Sequence, residues 1–306
     1  MIRILENEEI NRKQWDQAVT DSCFPSVYGL SWFLDLVSPG WGGMVVDNYN
    51  AVFPLPLKKK FGITYLAQPP FTQQLGVFSR EPVEETLIRT LILHMKSKIP
   101  YADIQLNETN RVKGNGFQVI PRKNIILPLS SDSGSPIEAY HTQTARNLAM
   151  FRGSGLKVFR DNTAFTMVID LFVREQGKKY KGISNRHYGI LEILCHRLLT
   201  RELLDVRIVR NRLGKTIAGA LFVHSMDRYV FLFSANSTEG YAVSAMPAII
   251  DLFIRNHAGE HKILDFEGSD NPGLARFYHS FGGRDVEYLR ILFNRLPWPV
   301  RVLKSR

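Results

Sequence analysis

The chain has 306 residues, of which 44% are hydrophobic and 22% charged, and this composition is typical of a folded globular protein. Its length allows two domains of ordinary size, and its apolar runs fall short of the roughly 20 residues that cross a bilayer. The first residues, MIRILENEEINRKQWDQ, include acidic side chains and no apolar stretch, so we expect neither a secretion signal nor a membrane span.

The charge is strongly positive, with a formal net charge of +10 and a pI of about 9.6. Such a balance favours partners that carry phosphate, such as a nucleotide cofactor, tRNA or an anionic membrane surface. Charge alone does not choose among these partners, because short basic clusters are also common on solvated faces. The basic residues are spread over the segments 58–60, 111–123, 178–181, 207–215 and 295–306.

Cysteine, histidine and serine give no sign of a metal centre or of a serine nucleophile. The two cysteines, Cys23 and Cys195, lie far apart and lack metal-ligand spacing, which fits a reducing compartment, and we expect the cytoplasm. The eight histidines show neither HxxxH nor HExxH spacing, so no metal site is expected. Ser22, Ser234 and Ser237 lack a nucleophile elbow, which disfavours a serine hydrolase.

The first half of the chain predicts a strand meander followed by a helix and another strand. Extended runs at 44–46, 51–60 and 63–66 are separated by turn residues. The segment 81–98 places Val83, Leu87, Leu91 and Met95 four residues apart, which is typical of an amphipathic helix. The alternating segment YADIQL then predicts a strand.

The second half repeats this order of elements. The runs DVRIVRN, TIAGALFVHS and RYVFLFSA predict a second meander, and SAMPAIIDLFIRN and KILDFEGS predict the helix and strand that follow it. The cluster SSDSGSP between the halves indicates a hinge, and Pro136 is a plausible first-turn residue of a helix. The sequence therefore predicts two similar α+β domains, 1–130 and 131–306, the second with a helical insertion at 165–204.

The segment NPGLARFYHSFGG resembles a motif of a known enzyme family. Its Asn271, Ala275, Tyr278 and Gly282 are similar to the closing motif of the GNAT acyltransferases. Two such halves, together with PPFTQQLG and YHTQTARNLAMFRGSGLKV, resemble the Fem-type peptidoglycan aminoacyltransferases and their FemABX-like relatives. The resemblance covers nearly the whole chain and implies two tandem GNAT-like domains, each a mixed, mostly antiparallel sheet flanked by helices.

The resemblance also implies a co-substrate and no tightly bound cofactor. Classical GNAT enzymes hold the pyrophosphate of coenzyme A with a Q/R-x-x-G-x-G/A loop at a helix N-terminus. The matching loop here, SANSTEGY at 234–241, has one glycine and a carboxylate. Aminoacyl-tRNA, the donor of Fem-type enzymes, is therefore favoured over acyl-CoA. The residues expected at the donor are Phe233, Ser234, Asn236 and Ser237.

Two residues are candidates for catalysis. Asp265 and Glu267 share one face of a predicted strand, and a carboxylate at a strand end can take a proton from an amine. The alternative is that one of them caps the next helix or pairs with an arginine. Tyr278 can donate a proton to the leaving group, as GNAT enzymes do at this position. Its alternative is packing, because Leu274, Tyr278 and Phe281 form an apolar stripe.

Five further residues are candidates for binding the acceptor: Gln73, Gln74, Arg146, Asn147 and Asn271. The paired amides of Gln73 and Gln74 suit hydrogen bonding to a peptide or sugar. The alternative is that they hydrogen-bond only to the backbone of their own loop. The resemblance implies an acyl- or aminoacyltransferase that acts on the amine of a small molecule or a cell-wall precursor. The alternative is an idle tandem GNAT-like protein that binds a nucleic acid or cell-wall precursor.

Overall fold

The computed structural model describes residues 1–130, 135–177, 184–268 and 270–298. The chain divides into two compact units, unit 1 with residues 1–122 and 287–306 and unit 2 with residues 123–286. The predicted segment 178–181 and the end of the basic tail lie outside the described residues.

The elements predicted from the sequence occur in the predicted order, and the structure adds strands and helices that were not predicted, among them all those of residues 1–40. The strands are β1 (Ile2–Leu5), β2 (Gly42–Val46), β3 (Ala51–Leu55), β4 (Leu57–Lys60), β5 (Ile63–Ala67), β6 (Phe78–Ser79), β7 (Tyr101–Gln105), β8 (Gln118–Pro128), β9 (Val158–Arg160), β10 (Leu204–Arg210), β11 (Thr216–Ser225), β12 (Arg228–Asn236), β13 (Ile263–Asp265) and β14 (Arg284–Asn294). The helices are α1 (Arg12–Thr20), α2 (Ser31–Val37), α3 (Glu85–Lys98), α4 (Thr142–Ser154), α5 (Phe165–Glu175), α6 (Asn185–Leu199), α7 (Thr238–Ala242), α8 (Ala245–His257) and α9 (Pro272–His279).

Unit 1 holds two sets of paired strands. One runs in the order β1-β2-β3-β6, and the other runs β4-β5-β7-β14 with the part of β14 that belongs to this unit. The extended run at 51–60 was predicted as a single strand, and this was wrong, because it breaks at Pro56 into β3 and β4. A proline donates no ladder hydrogen bond, so the break falls where the chain changes partners. Helix α3 buries Ile88, Leu91 and Met95 in the core of this unit.

The strands of unit 2 run in the order β8-β13-β12-β11-β10-β9. All neighbours are antiparallel except β12 and β13, which are parallel. Helix α8 covers the sheet, and its Phe253 stacks on Phe222 of β11 with ring centroids 3.8 Å apart. Both rings are fully buried, so this pair anchors the helix to the middle of the sheet.

The division into units differs from the predicted boundary at 130/131. The later part of β8 pairs with β13 in unit 2, through contacts such as Ile126 with Asp265, so unit 2 begins at Lys123. The later part of β14 pairs with β7, which places 287–306 in unit 1. Long-range strand pairing moves both borders, and no local composition marks either one.

The helix between the halves begins later than the sequence suggests. Helix α4 starts at Thr142, whereas 136–139 form turns, so the predicted start at Pro136 was wrong. The Tyr140 ring packs edge to face against Phe281, with centroids 5.4 Å apart, and this contact fixes the turn against the end of α9. Within the predicted insertion at 165–204 the structure contains α5 and α6, and the described α6 buries Leu191, Leu194 and Leu198.

Candidate active site

The candidate site forms where two parallel strands of unit 2 separate. Strand β13 pairs with β12 only from Arg228 to Val230, and β12 continues to Asn236 without further pairs to it in the described chain. On its other edge β12 stays paired with β11, with a register shift at Leu221/Phe222 that leaves Leu232 as the extra residue of a bulge. The split opens the backbone of 231–236 on one side.

A cleft of about 680 Å³ fills this split. Its walls come from β12, from the segment after β13, and from the helices α4, α5, α7, α8 and α9 or their ends. The lining residues are Asn147, Phe172, Gln176, Phe231, Leu232, Phe233, Ser234, Ala235, Asn236, Tyr241, Ser244, Met246, Pro247, Phe266, Glu267, Gly268, Leu274, Phe277 and Tyr278. The volume falls in the range of sites for small molecules and cofactors.

Glu267 lies in the cleft because the chain turns sharply after β13. Glu267 has a φ of 58° and Gly268 has the same value, so two successive residues are left-handed. This conformation is uncommon for a residue with a side chain. A side chain on Gly268 would collide with the backbone oxygen of Lys123 and with Asn124, so only glycine lets the turn pack against β8. Phe266 is buried just before the turn, and the half-buried Glu267 lines the cleft.

Asp265 has a structural role. It pairs with an arginine, which was the alternative to a catalytic role in the sequence analysis. Its carboxylate is buried and pairs with the Arg228 guanidinium, with Nη1 and Oδ2 3.1 Å apart. Its Oδ1 accepts from Asn124 Nδ2 at 3.0 Å and from the backbone N–H of Glu267 at 2.8 Å. Asp265 therefore ties the end of β13 to its neighbours and holds the backbone of Glu267.

Tyr278 belongs to the packing stripe and to the cleft at once. Its side chain is 7% exposed and stacks on Phe266, with ring centroids 4.6 Å apart and planes 14° apart. It also packs edge to face against Phe231 of the open strand. These two aromatic contacts fix the ring position, and Tyr278 lines the same cleft as Glu267.

The predicted donor loop is shaped by packing. Phe233, Ser234 and Asn236 line the cleft, whereas Ser237 does not. Ser237 caps α7, accepting a hydrogen bond from the Gly240 N–H at 3.1 Å. A side chain on Gly240 would collide with Asn236 and with the backbone of β11, so packing accounts for the single glycine of the loop.

The cleft wall is apolar and aromatic with a few polar groups. Among the described lining residues Glu267 is the one carboxylate, and there is no lysine or arginine. A pyrophosphate needs cations or a helix N-terminus. The loop that matches the coenzyme A loop carries Glu239 in the first turn of α7 instead, hydrogen-bonded to Asn211. The described wall therefore offers a phosphate no lysine or arginine, although the first turn of α8, with Ser244, Met246 and Pro247, also lines the cleft.

Of the predicted acceptor residues in unit 2, Asn147 lines the cleft and the other two do not. Asn147 of α4 lines the cleft and accepts from Gln143 at 3.0 Å, whereas Arg146 is exposed and does not line it. Asn271 also lies outside the lining and caps α9, accepting from the Gly273 N–H at 2.8 Å.

Gln73 and Gln74 lie in unit 1, apart from the lining set. Gln74 is buried, and its Nε2 donates to Oε1 of Gln73 at 2.9 Å. Gln68 donates to the backbone oxygens of Thr72 and Gln73. The amides of Gln73 and Gln74 are therefore bonded to each other, and it is the amide of Gln68 that satisfies the loop backbone.

Three polar residues of the cleft were missed from the sequence. Gln176 follows α5, and its Nε2 donates to the Tyr241 hydroxyl at 3.4 Å. Ser244, with a φ of 57°, separates α7 from α8 and is buried at the cleft wall. A serine just before the apolar run of α8 is a helix-start signal, but Gln176 and Tyr241 look like ordinary surface positions.

The described residues contain neither a grouped set of metal ligands nor a membrane-spanning helix. In 1–130, 135–177, 184–268 and 270–298, no three histidine, cysteine or acidic side chains are grouped so as to hold a metal ion. Within the same part of the chain, no helix is both long and apolar enough to cross a membrane.

Solved structures share this fold. No family model and no curated protein matches the sequence. The structure of FemX matches with a TM-score of 0.66 and 15% identity over 97% of this chain and 99% of that one. A tandem GNAT protein from the clavulanic acid biosynthesis pathway matches with a TM-score of 0.56 and 10% identity, over 97% and 100%.

A third match is the C-terminal domain of a putative lysylphosphatidylglycerol synthetase from Agrobacterium fabrum, with a TM-score of 0.57, 9% identity and coverage of 96% of both chains. At these identities the matches speak for the fold alone. The predicted fold is confirmed: the chain shares its fold with FemX and with a tandem GNAT protein.

Proposed function

We propose that the cleft of unit 2 is the active site of an N-acyltransferase that moves an aminoacyl or acyl group from an ester or thioester to an amine. One observation carries this proposal. The open edge of β12, the carboxylate of Glu267 and the ring of Tyr278 line one cleft in a fold that acyltransferases share. An acyl transfer needs an oxyanion donor, a base and an acid, and these three features supply the corresponding chemical groups.

The chemistry divides among these groups as follows. The acceptor amine attacks the acyl carbonyl carbon, and Glu267, directly or through a water, takes the proton that the amine loses as the C–N bond forms. Backbone N–H groups on the open edge near Phe233 and Ser234 stabilise the oxyanion. The bond to the leaving oxygen or sulfur then breaks, and Tyr278 gives that atom a proton. A fixed ring position suits Tyr278 to this step, because proton transfer requires hydrogen-bond distance.

The donor that fits best is aminoacyl-tRNA. The described cleft wall has no cation for a pyrophosphate, and the first turn of α7 carries Glu239. The aminoacyl end of the tRNA can enter a cleft with such a wall. The phosphates of the tRNA then stay outside the cleft, where the chain's net charge of +10 attracts them. Acyl-CoA is the second candidate donor.

The acceptor is the amine of a small molecule or of a cell-wall precursor, as the Fem-type resemblance implies. A single carboxylate in an otherwise uncharged wall attracts an ammonium group and is placed to receive its proton. Asn147 and Gln176 offer amide groups at the same wall.

An idle binding protein is the second candidate function. The ion pair between Asp265 and Arg228 favours it, since a silent site is expected to have its carboxylates in salt bridges. The position of Glu267 in the cleft favours the enzyme.

A transfer assay separates the two. Labelled aminoacyl-tRNA and labelled acetyl-CoA are each incubated with a panel of amines and peptidoglycan precursors. For the donor that is used, we expect Glu267→Gln to slow transfer by roughly 10²–10⁴-fold and Tyr278→Phe by roughly 10-fold or more. Glu192→Gln, an exposed carboxylate on α6, is the matched control and keeps the parent rate. Equal rates in Glu267→Gln and the control would remove Glu267 from the mechanism, and no transfer from either donor would favour the idle protein.

The salt dependence of binding tests the choice of donor. A ligand that contacts six or more phosphates loses orders of magnitude in affinity between about 50 and 200 mM salt, whereas coenzyme A contacts few phosphates and shows a shallow slope. We expect the steep slope, with tRNA. Tight coenzyme A binding with little salt dependence and no tRNA binding would make the protein an acyl-CoA acyltransferase.

A further inference from the structure

An exposed aromatic ring sits at the tip of a basic hairpin in unit 1. Strands β4 and β5 pair from Leu57 with Leu66 to Lys60 with Ile63, and the turn between them consists of Phe61 and Gly62. Both turn residues have positive φ, which is typical of a tight two-residue hairpin. The Phe61 side chain is 89% exposed, and three lysines precede it. A large apolar ring at such a tip has no packing role in the unit.

Strand pairing brings a second exposed ring to the same edge of the sheet. Strand β5 is parallel to β7, with Leu66 opposite Ala102, so the hairpin tip lies at the edge where β7 begins. Strand β14 is antiparallel to β7, with Asn294 opposite Tyr101, so β14 ends at that edge. Trp298 follows four residues later and is 78% exposed.

Helix α3, which precedes β7, adds basic side chains at this edge. Helix α3 ends at Lys98, directly before β7. Beside it, the N–H of Arg295 donates to the backbone oxygen of Pro100 at 2.7 Å, and the Arg295 guanidinium donates to the backbone oxygen of Lys96. The aromatic–basic edge is defined here as the set Lys58, Lys59, Lys60, Phe61, Lys96, Lys98, Arg295 and Trp298.

The segments that form this edge contain no acidic residue. The stretches 57–67, 86–102 and 292–298 have no aspartate or glutamate. The sequence from 299 to 306 adds three more cations and again no acid. Cations of other basic stretches have acidic partners in space, such as Arg210 with Asp161 and Lys123 with Asp285 in unit 2. Asp103 of β7, the nearest acid along the strands of this edge, pairs with Arg290, so the edge presents mainly positive charge around two exposed rings.

We propose that the aromatic–basic edge docks unit 1 onto an anionic lipid surface. Phe and Trp rings partition into the headgroup region of a bilayer, and lysines beside them attract anionic lipids. A single-stranded nucleic acid prefers aromatic side chains along a groove, where successive bases stack. Phe61 instead stands on a protruding turn, which can enter a lipid interface. The proposal does not depend on the cleft of unit 2, and either can fail alone.

Vesicle sedimentation tests the proposal. The full-length protein is mixed with vesicles of phosphatidylcholine alone or with about 30 mol% phosphatidylglycerol, a fraction that gives a negative surface potential. We expect binding to the anionic vesicles only. Lys59→Gln and Lys60→Gln should each weaken it roughly fivefold, because a cation near such a surface contributes about that factor. The double variant Phe61→Ala with Trp298→Ala should weaken it by at least tenfold.

A second hairpin provides the matched control. Leu213 is 91% exposed in the turn between β10 and β11, with Arg212 and Lys215 beside it. Leu213→Ala removes a similar exposed apolar side chain and should leave vesicle binding unchanged. Circular dichroism checks that every variant is folded.

Trp298 also serves as a local reporter. Trp15 and Trp41 are fully buried and Trp32 is half-buried, so Trp298 is the most exposed of the four tryptophans; anionic vesicles should shift the emission to the blue, and the shift should vanish in Trp298→Phe. Absence of vesicle binding, equal binding to both vesicle types, or equal losses in Leu213→Ala would overturn the proposal. So would loss of tRNA binding with unchanged vesicle binding in the Phe61/Trp298 variant, which would assign the edge to RNA.

Discussion

Replacing Asp265 by asparagine tests how the end of β13 supports the candidate site. The side chains of Asp265 and Arg228 are 6% and 5% exposed, and asparagine removes the charge that the guanidinium faces. It can still accept hydrogen bonds from Asn124 and from the Glu267 N–H. Breaking a buried ion pair by removing one partner costs about 3–5 kcal/mol. Asp227 lies 3.4 Å from Arg228, so we expect a loss near the lower end, about 3 kcal/mol.

The assay must observe unit 2 separately, because a chain of two units need not unfold in one step. All tryptophans lie at 15, 32, 41 and 298, within unit 1, so their fluorescence reports that unit. Hydrogen exchange by mass spectrometry gives the opening free energy of peptides from β12 and β13, with peptides from β2 and β3 as the internal standard.

The matched control for this change is Asp285→Asn, which removes an exposed partner of Lys123 and His279 in the same unit and should cost less than about 1 kcal/mol. Adding Arg228→Met to Asp265→Asn should cost less than the sum of the single changes, since it removes the unpaired charge. A loss no larger than that of Asp285→Asn, or a strictly additive double variant, would refute the structural role of Asp265.

Three further outcomes are expected. Gly268→Ala should lower the opening free energy of the β12 and β13 peptides in hydrogen exchange by about 2 kcal/mol or more, because a positive φ and a backbone collision both oppose the methyl group; an unchanged value would contradict the turn. Burial lowers the pKa of His224, although the carboxylate of Asp205 acts in the opposite direction. The unfolded state therefore takes up the proton at higher pH than the folded state, and the free energy of unfolding should fall as the pH drops below about 6.5. His224→Gln should flatten this pH dependence, and the same slope in the variant and the parent protein would be evidence against the role of His224. Burial raises the pKa of the Cys195 thiol to about 12, so a thiol reagent at about pH 8 should label Cys23 quickly and Cys195 only on unfolding, whereas rapid labelling of both would show that α6 is more open.

Local patterns in the sequence predict most of the elements and part of the site. The segment NPGLARFYHSFGG predicts α9, and Tyr278 within it and Glu267 before it do line one cleft. These features depend on neighbours within a few residues, so a short window contains the necessary information.

Other features depend on contacts between distant residues. The separation of β12 from β13 after Val230 has no local mark, because it is set by pairing across more than thirty residues. The same holds for the end of β14, which pairs with β7 and so belongs to unit 1. Asn271 looked like a binding residue because it begins a motif, whereas its side chain caps the helix, which any N-cap asparagine does.

The central claim is that the donor binds along the open edge of β12. The most direct measurement is hydrogen exchange of the protein with and without the donor that supports transfer, observed on peptides covering 231–236 and 266–268. We expect slower exchange in both segments, with Glu267→Gln retaining the effect, because it removes the base and keeps the cleft. Protection confined to unit 1, or none in these two segments at a saturating donor concentration, would contradict the assignment of the cleft as the active site.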